Sequence, residues 1–323
     1  MQKYFKLSDR LTQVEYISKV GNNDVVKTGM VALDDLVGFK KGYPVFIGGA
    51  PYAGKTEVGL EWLMNLAITQ KYKSFVYCGE GGTVDFVFLE LMHKYIGKPF
   101  SFMDEKERLK AQYFIDEHFV IANDDCDFTI VNFYDSVKEA EIKFGVKFDC
   151  TFFDPFNDVK EELEKFNNRE DKFLAYALKE VRKSSKANKR IDFVVTHIAD
   201  IKAVTDKNGN RYIPPALPSE WAGGRTWWRR AFLMILVYRP SKFIADENGK
   251  PYEENETIIF VQKAKPKGIA KIGKASIFFD WKRNQYYSKV YDFKVYSCEQ
   301  QPEMNDLVPN QNFYETDKNE NPF

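Results

Sequence analysis

The stretch Gly49-Ala50-Pro51-Tyr52-Ala53-Gly54-Lys55-Thr56 satisfies the pattern G-x-x-x-x-G-K-[ST] at every fixed position. Gly49 and Gly54 let the backbone wrap a chain of phosphates with its N–H groups turned inward, and a helix that follows aims its positive end at the same oxygens. Lys55 then reaches the β and γ phosphates, and the Thr56 hydroxyl holds a magnesium ion, so ATP and Mg2+ are the implied cofactors. Two carboxylates complete the chemistry. Asp154 ends the apolar run FDCTFFD and is suited to a magnesium-bound water; it is preferred over Asp149, which precedes that run. Glu80, just after SFVYC, reads either as the base that orients and deprotonates an attacking water or as an acidic residue leading into a helix. His197, closing IDFVVT, reads either as a sensor of the γ-phosphate or as a structural hydrogen-bonding histidine.

These residues need elements to position them, and the pattern supplies them. Tyr43 to Gly48 reads as a buried strand, and Thr56 to Thr69 puts Val58, Trp62, Leu63, Leu66 and Ala67 on one helical face. Strands follow at Ser74 to Cys78, Phe119 to Ala122, the run before Asp154, and Ile191 to Thr196. Helices are predicted from Val84, over Asp104 to His118, over Asn132 to Phe144, and over Lys160 to Lys189 with a break at Asn167 and Asn168. Ser8 to Val20 reads as an amphipathic helix capped by Ser8, with Leu11, Val14, Ile17 and Val20 needing a surface on this domain or on a neighbouring subunit. Lys27 to Gly42 reads as a loop and short helix, and Ala275 to Tyr287 as a closing hairpin.

Composition narrows the function classes. Lys plus Arg and Asp plus Glu each number 47 among 323 residues, so the chain has no global basic footprint and any polyanion site is a local patch. Cys78, Cys126, Cys150 and Cys298 lack metal-like spacing, and most lie in apolar segments, as reduced core thiols do. With no apolar run long enough to span a bilayer and no signal core, a cytoplasmic protein without membrane contact is expected.

The order strand, P-loop, helix, strand with Glu80, strand with Asp154, strand with His197 is that of a RecA-like P-loop NTPase: an α/β core with a mainly parallel central sheet flanked by helices and a C-terminal β-hairpin. More narrowly, Thr28-Gly29, Leu33-Asp34, Gly42, the P-loop, Glu80, Asp154-Pro155-Phe156-Asn157 and Thr196-His197 resemble the helicase domain of DnaB/Twinkle-type replicative helicases, phage and mitochondrial forms especially. The resemblance runs from Thr28 to Tyr287. It implies a ring, usually a hexamer, that encircles single-stranded DNA, moves along it and hydrolyses ATP at subunit interfaces. It assigns Glu80 as catalytic base, Asp154 as the second metal-linked acid and His197 as sensor.

In that family the segment after the sensor lines the central channel, which makes Lys202, Lys207 and Arg211 candidate DNA-backbone contacts, with Asp206 to Asn210 as a turn. Gly223, Gly224 and Arg225 follow as a second DNA-proximal motif; Trp227 and Trp228 read as core or subunit contact ahead of base stacking. Two departures stand out. Phe232 occupies a position where the family commonly has Asp, and Lys263-Ala264-Lys265 replaces the family's Lys-x-Arg, whose arginine reaches the neighbour's γ-phosphate. Lys265 supplies charge without the guanidinium fork, so trans stimulation should weaken or pass to Lys267. The expected organisation is a linker and helix at 1–27, an ATPase domain at 28–298 and an acidic, loose tail at 299–323. By resemblance such a tail docks replication partners: primase, polymerase or single-strand-binding protein. A different class, a DNA-binding recombination or loading ATPase acting as a nucleotide-gated clamp or filament, fits the same core.

Overall fold

The computed structural model describes residues 4–21, 24–159, 163–199, 201–207, 209–246, 249–291 and 293–298. In chain order these form α1 (Leu11–Val20), β1 (Val26–Lys27), β2 (Gly38–Phe39), β3 (Val45–Gly49), α2 (Lys55–Gln70), β4 (Ser74–Cys78), α3 (Val84–Ile96), α4 (Glu105–His118), β5 (Phe119–Ile121), α5 (Ile130–Phe144), β6 (Cys150–Asp154), α6 (Glu170–Asn188), β7 (Ile191–His197), β8 (Val204–Thr205), β9 (Arg211–Tyr212), α7 (Arg225–Arg230), β10 (Leu233–Tyr238), β11 (Glu256–Ala264), β12 (Gly273–Asp280), β13 (Gln285–Val290) and β14 (Phe293–Tyr296).

A ten-stranded sheet of order β14-β13-β12-β11-β10-β3-β7-β6-β4-β5 carries the fold. From β10 to β5 the pairs are parallel, and from β10 out to β14 they are antiparallel. The central parallel strands read as unbroken apolar runs because helices cover both faces, leaving no side of the pleat for polar residues. On one face α2, α3 and α4 bury Trp62, Leu66 and Leu91 against Phe152, Phe193 and Ile235; on the other, α5, α6 and α7 bury Phe133, Val181 and Trp227 against Phe153 and Met234.

The P-loop helix differs from the one-sided helix its spacing predicts. Every residue from Val58 to Ala67 is buried, because the antiparallel strands fold over the side that an isolated unit would expose. Its polar members therefore need internal partners. Asn65 Nδ2 donates to the Thr28 carbonyl at 2.8 Å, which gives the Thr28-Gly29 pair its place. Glu61, fully buried, accepts from Lys94 Nζ at 2.8 Å and from the Tyr286 backbone at 3.0 Å, and from Ser297 Oγ. Lys94 also reaches Glu57 at 3.3 Å and the Asn284 carbonyl at 2.7 Å. Burial alone would lower the Lys94 pKa, but Glu61 and Glu57 hold it well above the ordinary lysine value. Gly59 allows the close approach of α2 to the sheet: a Cβ there would lie 2.2 Å from the Phe152 ring.

Other expectations are corrected. The segment between Lys27 and Gly42 forms no α-helix; β1 and β2 pair antiparallel around turns in which Asp34 Oδ1 accepts from Thr28 Oγ1 at 2.7 Å and from the Gly29 N–H at 3.1 Å. Those short polar bonds replace a helical ladder. Ser8 does not cap α1, which begins after a 3-10 turn at Leu7–Asp9. Leu11, Val14 and Ile17 are all exposed, so α1 does not bury its apolar side on this domain. The closing hairpin β12–β13 gains β14, and the tail at 299–323 lies outside the described residues.

Candidate active site

The C-terminal ends of the parallel strands converge on one edge, where open α/β sheets bind ligands. Register fixes the neighbours: Gly49 at the end of β3 pairs with His197 at the end of β7, and Cys78 at the end of β4 pairs with Asp154 at the end of β6. A cleft of about 960 Å³ opens there, walled by the P-loop, Glu80, Asp154 and His197 on one side and by Arg239, Trp281 and Tyr286 on the other.

Within the loop Gly49, Ala50, Pro51, Tyr52, Ala53 and Gly54 lead directly into α2. Gly54 has φ +88°, and a Cβ on it would come within 2.8 Å of the Tyr286 hydroxyl, so the turn demands glycine twice over. Tyr52 also lies in the left-handed region, with its ring almost fully exposed. Lys55 Nζ donates to the Ala50 carbonyl at 3.0 Å and sits 3.4 Å from His197 Nδ1. Burial lowers the Lys55 pKa, with Asp154 and Glu80 opposing the shift. A polyphosphate would oppose it further, which is what a buried ammonium with few counter-charges requires.

Thr56 Oγ1 donates to Asp154 Oδ2 at 2.5 Å. Asp154 is buried, and that desolvation raises its pKa to about 6 against the pull of Thr56 and Lys55. A hydroxyl and an under-compensated carboxylate, both hard oxygen donors beside a phosphate cradle, fit Mg2+. Asp149 sits at the far end of β6, paired with Lys41 at 2.5 Å, and takes no part.

Glu80 lies exposed, ahead of the Thr83 cap of α3, and its Oε1 is 3.1 Å from His197 Nε2. Glu80, His197 and Lys55 thus form a chain across the cleft floor. The sensor position is held from behind: Asn157 Oδ1 accepts from the His197 N–H at 2.9 Å and from Thr196 Oγ1 at 3.0 Å. The segment after His197 returns beside it, with the Ala222 N–H donating to the His197 carbonyl at 3.2 Å and the Ala199 N–H to the Glu220 carbonyl at 2.7 Å. Between these anchors β8 and β9 pair around the predicted turn, where the Asp206 N–H donates to the Asn210 carbonyl at 2.9 Å; Asn208 lies outside the described residues.

Lys202, Lys207 and Arg211 are exposed on that hairpin segment, and Arg225 is exposed at the start of α7; none lines the cleft. Trp227 is buried, as its core reading requires, whereas Trp228 is half-exposed. Lys265 follows β11 at the opposite edge of the sheet, since Ala264 pairs with Leu233 at the beginning of β10. It cannot serve the cleft of its own chain. Sequence reasoning passed over Arg239 and Trp281, whose guanidinium and ring lie 5.0 Å apart on the antiparallel side of the cleft. The available signals were an arginine directly after the buried strand β10 and an unburied tryptophan at a hairpin turn.

No protein-family model and no curated protein matches the sequence. Solved structures do. The ATPase domain of a helicase superposes with a TM-score of 0.65 at 13% identity, over 88% of this chain and 99% of that one. A DnaB-like replicative helicase, solved for its interactions with primase, gives 0.62 at 13% identity over 88% of this chain and 67% of that one. The chain has the RecA-like fold of DnaB-type helicase ATPase domains. In this RecA-like frame the cleft occupies the edge at which the P-loop, Asp154 and His197 meet, and the antiparallel strands β11 to β14 close its other side. Among the described residues no helix is long and apolar enough to cross a membrane.

Proposed function

We propose that this chain is an ATP-dependent replicative DNA helicase that encircles and translocates along single-stranded DNA, hydrolysing ATP at the interfaces of a homo-oligomeric ring. The observation that carries the reading is the convergence of Lys55, Thr56, Asp154, Glu80 and His197 on one cleft within a helicase-like fold. Mg2+, held by Thr56 and Asp154, would supply charge neutralisation to the β and γ phosphates. The chain's own groups do the rest. Lys55 and the P-loop N–H groups bind the phosphates; Glu80 accepts a proton from the attacking water; His197 fixes the Glu80 carboxylate and touches Lys55. Arg239 and Trp281 present a flat, cationic wall on which a nucleobase would lie.

Two features support action in a ring. Lys265 faces away from its own cleft, as a residue acting on a neighbour must, and α1 leaves Leu11, Val14 and Ile17 without cover on its own domain. Lys202, Lys207, Arg211 and Arg225 are the proposed backbone contacts to single-stranded DNA, hexamer and 5′-to-3′ movement are the proposed assembly and polarity, and the proposed compartment is the cytoplasm. Primase, polymerase or single-strand-binding protein remain the proposed partners of the tail. The lysine at 265 favours one second reading, a nucleotide-gated clamp or filament with slow turnover.

Magnesium-dependent ATP hydrolysis with and without single-stranded DNA separates these readings, with Lys55→Ala as the blank. A motor shows strong stimulation that vanishes in the blank. Tight DNA binding with almost no turnover selects the clamp, and hydrolysis indifferent to DNA removes both. Val14→Asp combined with Ile17→Asp is expected to leave the melting temperature of the domain within about 1 °C, because exposed substitutions cost little. The same variant should sediment as smaller species than the parent; an unchanged oligomer would remove α1 from the interface.

A further inference from the structure

At the edge of the sheet opposite the cleft, α7 and the end of β11 enclose a second hollow of about 420 Å³, lined by Trp228, Arg229, Lys263, Ala264, Lys265 and Ile272. It contains three cations and no carboxylate, in a chain whose formal net charge is zero. The three are not equivalent. Lys263 is buried, its Nζ donates to the Trp228 carbonyl, and it lies 5.4 Å from the Trp228 ring centre. It is a strut that fixes the last turn of α7. Burial, and then the charge of Lys265, lower its pKa, as befits an ammonium not held by an anion.

Lys265 and Arg229 are both exposed, and neither side chain makes a hydrogen bond or ion pair among the described residues. The Lys265 N–H donates to the Phe232 carbonyl at 2.9 Å, which sets this residue at the mouth of the hollow beside the end of α7. Phe232 turns its ring onto Tyr43, with centroids 5.6 Å apart, and so brings no carboxylate that would hold Arg229. One guanidinium and one ammonium are thus left facing outward.

The cleft on the opposite edge has the complementary deficiency. Its lining cations are Lys55, placed for the phosphates, and Arg239, which is drawn to Trp281 and donates to the Glu254 carbonyl at 3.3 Å. A dissociating γ-phosphoryl group spreads charge over three oxygens, which a planar fork of donors meets better than a point charge. A head-to-tail contact between copies brings one edge of the sheet against the opposite edge of the next.

Resting on the ring reading above, we propose that Arg229 supplies the guanidinium that stabilises the γ-phosphate of ATP bound to the neighbouring copy, with Lys265 as an accessory charge. The function that Lys265 cannot perform with an ammonium is carried from α7 instead of β11, and Lys263 positions it.

The test is subunit mixing with the full chain. Arg229→Ala alone is expected to lower ATP hydrolysis at least about 10²-fold, in line with other guanidinium groups supplied in trans. Its nucleotide affinity, read with a fluorescent ADP analogue, should stay within about threefold. Arg229→Lys should recover only a small part of the loss, and Lys265→Ala should lose less than Arg229→Ala. Mixed one to one, Arg229→Ala and Lys55→Ala subunits should regain about a quarter of the parental rate, the share of interfaces that pair an intact cleft with an intact arginine under random assembly. Failure of the mixture to exceed its components overturns the assignment. So does hydrolysis by Arg229→Ala within threefold of the parent, including the case in which that variant loses single-stranded DNA binding and the hollow belongs to nucleic acid. A parent chain without ATP hydrolysis would instead remove the ring-ATPase reading, before any variant is compared.

Discussion

Glu80→Gln is expected to cut the rate of ATP hydrolysis by about 10³-fold while nucleotide affinity stays within about threefold. Glutamine has the shape of glutamate and keeps an oxygen to accept from His197 Nε2, now 3.1 Å from Glu80 Oε1. It lacks only the capacity to take a proton. Because Glu80 touches neither the P-loop nor the Thr56–Asp154 pair by hydrogen bond, the ground-state complex should be unaffected and the loss should appear in kcat with KM little changed. Single-turnover hydrolysis beside a fluorescent-nucleotide titration separates the two. A rate within tenfold of the parent would return Glu80 to the role of a residue that merely precedes a helix.

Asp154→Asn should abolish magnesium-dependent turnover and yet stabilise the ligand-free protein. Burial raises the Asp154 pKa from 3.8 to about 6, so the folded state binds this proton more tightly than the unfolded chain does. The stability linked to that proton is present below pH 4 and is lost as pH rises through about 6. Above that range the ionised carboxylate costs the folded state up to ~3 kcal/mol, from the size of the shift. Asparagine removes that cost and can still accept from Thr56 Oγ1. At pH 8 the variant should therefore melt several degrees above the parent, the gap closing toward pH 4. Magnesium with a nucleotide should reverse the order, because only the parent carboxylate gains by binding the ion. A variant that melts below the parent at pH 8 would mean that Asp154 is already compensated.

The parallel half of the molecule was legible because its physics is local. Strands buried on both faces must be apolar throughout, so SFVYC, CTFFD and IDFVVT stand out, and the polar residue ending each run falls on the edge where the cleft forms. Asp154 and His197 were readable in that way. The antiparallel half was not. Arg239 and Trp281 meet only because β10, β11 and β12 are neighbours in the sheet, and no short-range pattern announces that order. The same strands bury Glu61 and Asn65, which α2 on its own would show to solvent. Lys263 and Lys265 look alike as a dipeptide pattern, yet the alternation of β11 turns one under Trp228 and leaves the other outside. Arg229 went unnoticed because its partner residues come from the far end of another strand.

The bonds joining Lys94 to Glu57, Glu61 and the Asn284 carbonyl have a mechanical reading. They bolt α3 and the β12–β13 turn onto the P-loop helix, so the wall bearing Trp281 cannot travel separately from the phosphates' cradle. Compliance is left to the opposite side, where the segment after His197 hangs from backbone hydrogen bonds at its base. A change in the number of phosphates would then be converted into displacement at one place, and a stroke would emerge beside the sensor while the base end of the nucleotide acts as the fulcrum.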